Sequence, residues 1–204
     1  MRALNVCVGV MVLATGCDAD RISSKEAERV FQSQAGMAGE LYRTVLDAIE
    51  GVEVPGGLTV DVDEAGGTVS GQLEGSNGWA GSASLDGAAE IDTASNDYVF
   101  DLALAYAGVS VDGVGVVMDG DVGLSTEAHL DTAAGALDYA FQTDGDLAVS
   151  GEATGQASFE FSLVVGVDLS TGSFDLDVSG DVAGFDASEL SLSNATTWVA
   201  ALYN

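Results

Sequence analysis

The sequence predicts an α+β fold: one long N-terminal amphipathic helix packed on a curved antiparallel β-meander of about eight to eleven strands. Three observations predict it. Apolar residues recur at steps of three and four between positions 24 and 50. After Gly57 they recur at every second position instead. Pairs of Gly, Asp and Asn then punctuate the chain at regular intervals, as turns do in a meander.

The helix comes first. Ser23 and Glu26 have the spacing of a capping box, in which the serine oxygen takes an amide proton and the glutamate reaches back. Val30, Gln34, Met37, Leu41, Val45 and Ala48 fall on one stripe, with Phe31, Ala38 and Ile49 beside it. Gln34 is its one polar member. Gly36 and Gly39 weaken the helix or let it approach a neighbour closely. A helix over 24–50 is roughly 40 Å long. Gly51 ends it, and Pro55-Gly56-Gly57, holding the only proline, marks the change of regime.

The strands follow. Leu58, Val60 and Val62 alternate with Thr59, Asp61 and Asp63. Trp79, Ala83 and Leu85 share one parity. Tyr98, Phe100, Leu102, Leu104 and Tyr106 form the longest clean alternation, with Asp101 on the other face. Val114, Val116 and Met118, then Val122, Leu124 and Thr126, then Leu137, Tyr139 and Phe141 continue it. Phe159 to Leu169 and Phe174 to Val178 complete the series, with acids opposite. Such alternation describes antiparallel strands with one buried face and one wet face. Gly66-Gly67, Asn77-Gly78, Asp86-Gly87, Asn96-Asp97, Asp119-Gly120, Asp144-Gly145 and Thr171-Gly172 read as the turns between them. Leu190 and Leu192 suit a last strand. Trp198, Val199, Leu202 and Tyr203 suit a short closing segment.

The start of the chain carries an address. Met1-Arg2 precedes an apolar run from Ala3 to Ala14, which is too short to span a bilayer. Leu13-Ala14-Thr15-Gly16-Cys17 follows. These residues resemble the lipobox of bacterial lipoprotein precursors, with Ala14 where Leu, Val or Ile is usual. The resemblance covers the first 17 residues and implies cleavage before Cys17 and lipid attachment to its sulfur. It also implies a place in the bacterial cell envelope, on either membrane, with the domain in the periplasm or on the cell surface. The only other cysteine, Cys7, lies in the segment to be removed, so the mature chain has no cysteine pair to form a disulfide. The expected organisation is a signal peptide over 1–16, a tether over 17–22 and the helix over 23–51. A sheet region over 57–204 packs with that helix as one domain.

Charge narrows the function. The net charge is −28, and all five basic residues lie at or before Arg43. No Lys or Arg follows, while 28 of the 33 acids do. Nucleic acid is excluded as a partner, because phosphate binding needs Lys and Arg. Adsorption to anionic headgroups is disfavoured for the same reason. Acid-rich, lysine-poor chains resemble proteins of salty habitats, where screening relieves self-repulsion.

Catalytic chemistry has little to stand on. His129 is the only histidine, and no Gly-x-Ser-x-Gly elbow exists. One histidine and one lipidated cysteine do not make a zinc site. No catalytic residue, metal ligand or cofactor is expected. The run from Asp175 to Asp186 matches part of a calcium-binding EF-hand loop, with acids at loop positions 1, 3, 7 and 12. Its alternation fits a hairpin equally. A membrane β-barrel would suit the two-residue period but not the helix or the acidic face.

Two functions remain. One is a non-enzymatic envelope lipoprotein, structural or binding a protein partner. The other is a carrier of lipid or another hydrophobic ligand. Its layout resembles the half-barrel of periplasmic lipoprotein carriers and related lipid-binding lipoproteins. Calcium binding is a third and weaker reading.

Overall fold

Ser23 marks the start of the first helix. The computed structural model describes residues 22–63, 66–75, 78–92 and 94–192. The expected signal peptide, Cys17, most of the tether and the segment from Trp198 to Tyr203 lie outside the described residues. Ile22 does not: it is buried, so the core begins inside the expected tether. Ser23 caps helix α1, Ser24–Ile49. Its Oγ accepts the Glu26 amide at 3.4 Å. The Glu26 carboxylate accepts from the Ser23 amide at 2.7 Å and from its hydroxyl at 2.6 Å. The capping box read from the sequence is present. Those bonds from Ser23 hold the Glu26 carboxyl below its ordinary range.

The buried part of α1 is wider than one stripe. Ser33, Gln34 and Ala35 are consecutive and all buried, as are Met37, Ala38 and Gly39. At about 100° per residue the buried arc covers roughly two thirds of the circumference. Neighbours therefore cover this helix on more than one side. Gln34, the polar member of the stripe, has partners. The Tyr106 hydroxyl donates to its Oε1 at 3.4 Å, and its Nε2 donates to the Met118 sulfur at 3.1 Å. A buried amide so placed avoids the penalty of lost hydration. Burial pushes the Tyr106 phenol well above its ordinary value.

The rest of the described chain forms one antiparallel sheet of nine strands. They are β1 (Leu58–Asp63), β2 (Gly66–Glu74), β3 (Trp79–Asp92), β4 (Asp97–Val111) and β5 (Val116–Asp131). β6 (Ala136–Gly151), β7 (Gly155–Asp168), β8 (Ser173–Val182) and β9 (Phe185–Asp186) follow. Order in space equals order in the chain. One face is apolar. On β4, Phe100, Leu102, Leu104 and Tyr106 are buried, while Asp101, Ala103 and Ala105 between them are exposed. Helix α1 rests on that apolar face through rings. Phe31 meets Phe161 edge-on at 5.0 Å between centroids, and Tyr42 meets Tyr139 likewise at 5.0 Å.

Four expected turns are not turns. Gly66-Gly67 opens β2, paired with Asp63 and Val62. Asp86-Gly87, Asp119-Gly120 and Asp144-Gly145 lie inside β3, β5 and β6. Their glycines answer a different need. A Cβ on Gly87 would fall onto the carbonyl oxygen of Asp101, and one on Gly145 would meet the Asp121 carbonyl at 2.5 Å. Glycine is present because the neighbouring backbone comes too close for a side chain. Further turns occur at 112–114, 132–135, 152–153 and 183–184. Leu190 and Leu192 also differ from expectation. They follow a 3₁₀ turn, Ala187–Glu189, lie outside any strand, and pack half-buried against the core.

Three hairpins at one end share a device. Asp92, Asp131 and Asp168 close β3, β5 and β7. Each accepts two backbone amides of its own turn, Asp131 from Ala133 and Ala134 at 2.9 Å. Four residues on stands a residue with positive φ: Asn96, Gly135 or Gly172. An Asx turn followed by a left-handed residue suits the twist of adjoining strands.

Candidate functional site: the acidic face

Opposite the core, the sheet presents its other side chains to water, and register sets which of them stand abreast. Asp86, Ala103, Gly123, Asp144, Glu160 and Asp181 form one row across β3 to β8. Asp121 and Asp146 face each other in the next row. Paired positions of this kind are about 4.5–5.5 Å apart at Cβ. Like charges so close repel, and no strand carries a Lys or Arg to offset them. Small residues form the floor. The result is a shallow, open hollow of about 630 Å³, lined by Asp86, Ala103, Ala105, Asp121, Asp144 and Asp146 among others. Carboxylates over such a floor suit solvated cations and repel anions. Among the described residues, no three of His, Cys, Asp or Glu are grouped to hold a metal ion.

Toward the Asx-turn end the row reads Asp92, Asp97, His129, Asp138, Gly166 and Asp175. His129 Nδ1 lies 2.5 Å from Asp97 Oδ1. Both side chains are half-exposed. The hydrogen bond to Asp97 raises the His129 pKa, and the charges of Asp97, Asp131 and Asp138 add to this. Asp97 is lowered, first by the Ser95 hydroxyl, which donates to it at 2.5 Å, and then by His129. A hollow of about 420 Å³ opens beside the pair, lined also by Tyr98, Val99, Glu127, Asp138 and Val164. The pair has the contact of a base and its orienting acid, but among the described residues no hydroxyl or thiol is bonded to the imidazole.

The EF-hand-like run takes another shape. Asp175, Asp177 and Ser179 lie on β8 with their side chains exposed, alternating with half-buried Phe174, Leu176 and Val178. Asp181 accepts the Gly184 amide at 2.8 Å and closes the β8–β9 turn, and Asp186 accepts the Ser188 amide at 2.9 Å. Strand alternation sends these carboxylates outward along one edge, so no loop gathers them around a central point.

The helix–sheet interface is the place that a hydrophobic ligand would occupy. It is occupied by rings. Beyond the two edge-on pairs of Phe31 and Tyr42, Tyr42 lies 6.0 Å from Phe100 and Phe141 lies 5.8 Å from Phe161. Burial pushes the Tyr42 phenol up to about 12 and Tyr139 higher still. Among the described residues, no helix is long and apolar enough to cross a membrane.

The His129–Asp97 pair was not legible in the sequence, since 32 positions separate its members and only register joins them. The lipid-attachment residue expected from the sequence, Cys17, lies outside the described residues. No family model matches the chain, and no curated protein or solved structure matches it either.

Proposed function

We propose that this protein is a lipid-anchored lipoprotein of the bacterial cell envelope, held to a membrane through Cys17. In this reading its domain is a non-enzymatic module that is structural or binds a protein partner. The single observation that carries the reading is the run Leu13-Ala14-Thr15-Gly16-Cys17 after a short apolar segment. The residues that follow support it. Ile22 is buried and Ser23 caps α1, so the domain begins directly after a short tether. Several acyl chains on one cysteine, at about 0.8 kcal/mol per buried methylene, hold a domain firmly.

A curved sheet around the helix fits the wide buried arc of α1 and the glycines that face the core on β3, β5 and β6. Glycines and bulges bend sheets. That layout also suits a carrier of hydrophobic ligands. The ring contacts between α1 and β4, β6 and β7 favour the close-packed module, because a carrier needs an apolar cavity that the helix leaves open.

Two measurements test the reading. The wild-type chain made in a bacterial host carries a lipid mass on its N-terminal peptide and floats with membranes, while Cys17→Ser does neither. Native mass spectrometry of the Cys17→Ser domain, without its signal segment, gives a bare mass that stays bare after exposure to lipid extract. Lipid-sized adducts in that experiment would replace the module by the carrier.

A further inference from the structure

We infer that the anchor gives the domain a preferred orientation on the bilayer: the β4–β5 and β6–β7 turns face the lipid surface, and the end bearing His129 points away. The inference rests on the lipid-anchor reading above.

Geometry carries it. From Cys17 to Ile22 the chain takes five steps, which reach at most about 18 Å when extended. At that point the chain joins the fold, because Ile22 is 4% exposed and Ser23 caps α1 at once. The start of α1 is fastened to two turns. Arg29 donates to the Val114 carbonyl at 2.5 Å, between β4 and β5. It also forms an ion pair with Glu152, between β6 and β7. The other end of α1 lies elsewhere, with Tyr42 packed on Phe100 and Tyr139 near the starts of β4 and β6. The 26 residues of α1 span about 39 Å. The turns at 94–96, 132–135 and 169–172 therefore lie at the opposite end of the domain from the point where the tether leaves it.

Charge decides how the near end meets lipid. Its turns carry Asp112 and Glu152, and Asp181 stands near the end of β8, so anionic headgroups repel it. The lipid surface it faces without adsorbing is a zwitterionic one. The far end, with its Asx turns and the His129–Asp97 pair, is the part presented to other molecules.

The test uses the full, lipidated chain in phosphatidylcholine vesicles doped with an acceptor dye on a lipid headgroup. A donor dye is placed on Asp112→Cys or on Thr132→Cys, both exposed turn positions. The mature chain has no free thiol to compete. Energy transfer several-fold stronger from position 112 than from 132 is expected. Equal or reversed transfer overturns the inference. A twelve-residue Gly-Ser insertion after Asp20 erases the difference if the short tether is its cause, and a difference that survives overturns that cause. The mass of the N-terminal peptide is read in the same samples. A chain without lipid on Cys17 overturns the anchor, an outcome distinct from a lipidated chain with equal transfer.

Discussion

His129 offers a clean probe, because it is the only histidine. Its pKa is raised in the folded state, so the stability it contributes is complete below its free value of 6.5 and lost as pH climbs through the folded value. Asp97 is lowered, so its contribution is complete above 3.8 and lost as pH falls through its folded value. The pair is at full strength between those two free values. An imidazole NMR titration is expected to give a midpoint above 6.5, and Asp97→Asn moves it down toward that value. A wild-type midpoint at or below 6.5 would show that the pair does not persist in solution. Gly87 makes a second prediction at this scale. Gly87→Ala drives a methyl into the Asp101 carbonyl, and overpacking of this kind costs about 1–3 kcal/mol. Gly166→Ala, whose Cβ meets only the Asp138 carboxylate at 3.5 Å, is expected to be nearly neutral. Urea midpoints compare the two. Equal losses would mean that backbone proximity is not the reason for glycine at position 87.

Helix α1 is where sequence and structure agree best, and the physics says why. Its cap, its apolar stripe and its stop are local signals within a few residues of one another. The expected span of 24–50 and the observed Ser24–Ile49 differ by one residue. The strands were legible as a period but not as lengths. Asp-Gly within β3, β5 and β6 carries the same two letters as a hairpin turn, and only the neighbouring strand's backbone tells them apart. The register shift after Tyr106 was hidden for the same reason. β4 carries two residues, Ala107 and Gly108, where β5 carries only Asp119, and the Asp119 carboxylate accepts the Gly108 amide at 2.7 Å. That bulge returns Val109 to the buried face although its parity differs from Tyr106. As for energetics, Phe31 is fully buried and touches Phe161. Phe31→Ala is expected to destabilise by about 3–5 kcal/mol. Ser23→Ala, which removes the cap, costs about 0.5–2 kcal/mol. Thermal or urea unfolding measures both, and a smaller loss for Phe31→Ala than for Ser23→Ala would mean that α1 is not held by its rings.

The molecule as a whole has a net charge of −28, with every strand free of Lys and Arg. Neighbouring acids such as Asp144, Glu160 and Asp181 stand abreast with nothing between them. The folded state concentrates this repulsion more than the unfolded chain does. Sodium chloride is therefore expected to raise the unfolding temperature steeply up to about 1 M, where the Debye length falls to about 3 Å. Glycerol at matched viscosity should not reproduce the early rise. A flat response to salt would mean that the acidic face is not under strain.

The strand order has a kinetic consequence. Because each strand pairs with the one just before it, every sheet contact closes a short loop, and short loops cost little entropy. The meander can zip forward one hairpin at a time, with the Asx turns as successive nuclei. Only α1 breaks this economy of distance. Phe31 must find Phe161 across most of the domain. Contacts of such long sequence separation are slow to form. Helix docking is thus expected to set the refolding rate, and a chain emerging N-terminus first would carry its last-placed part from the beginning.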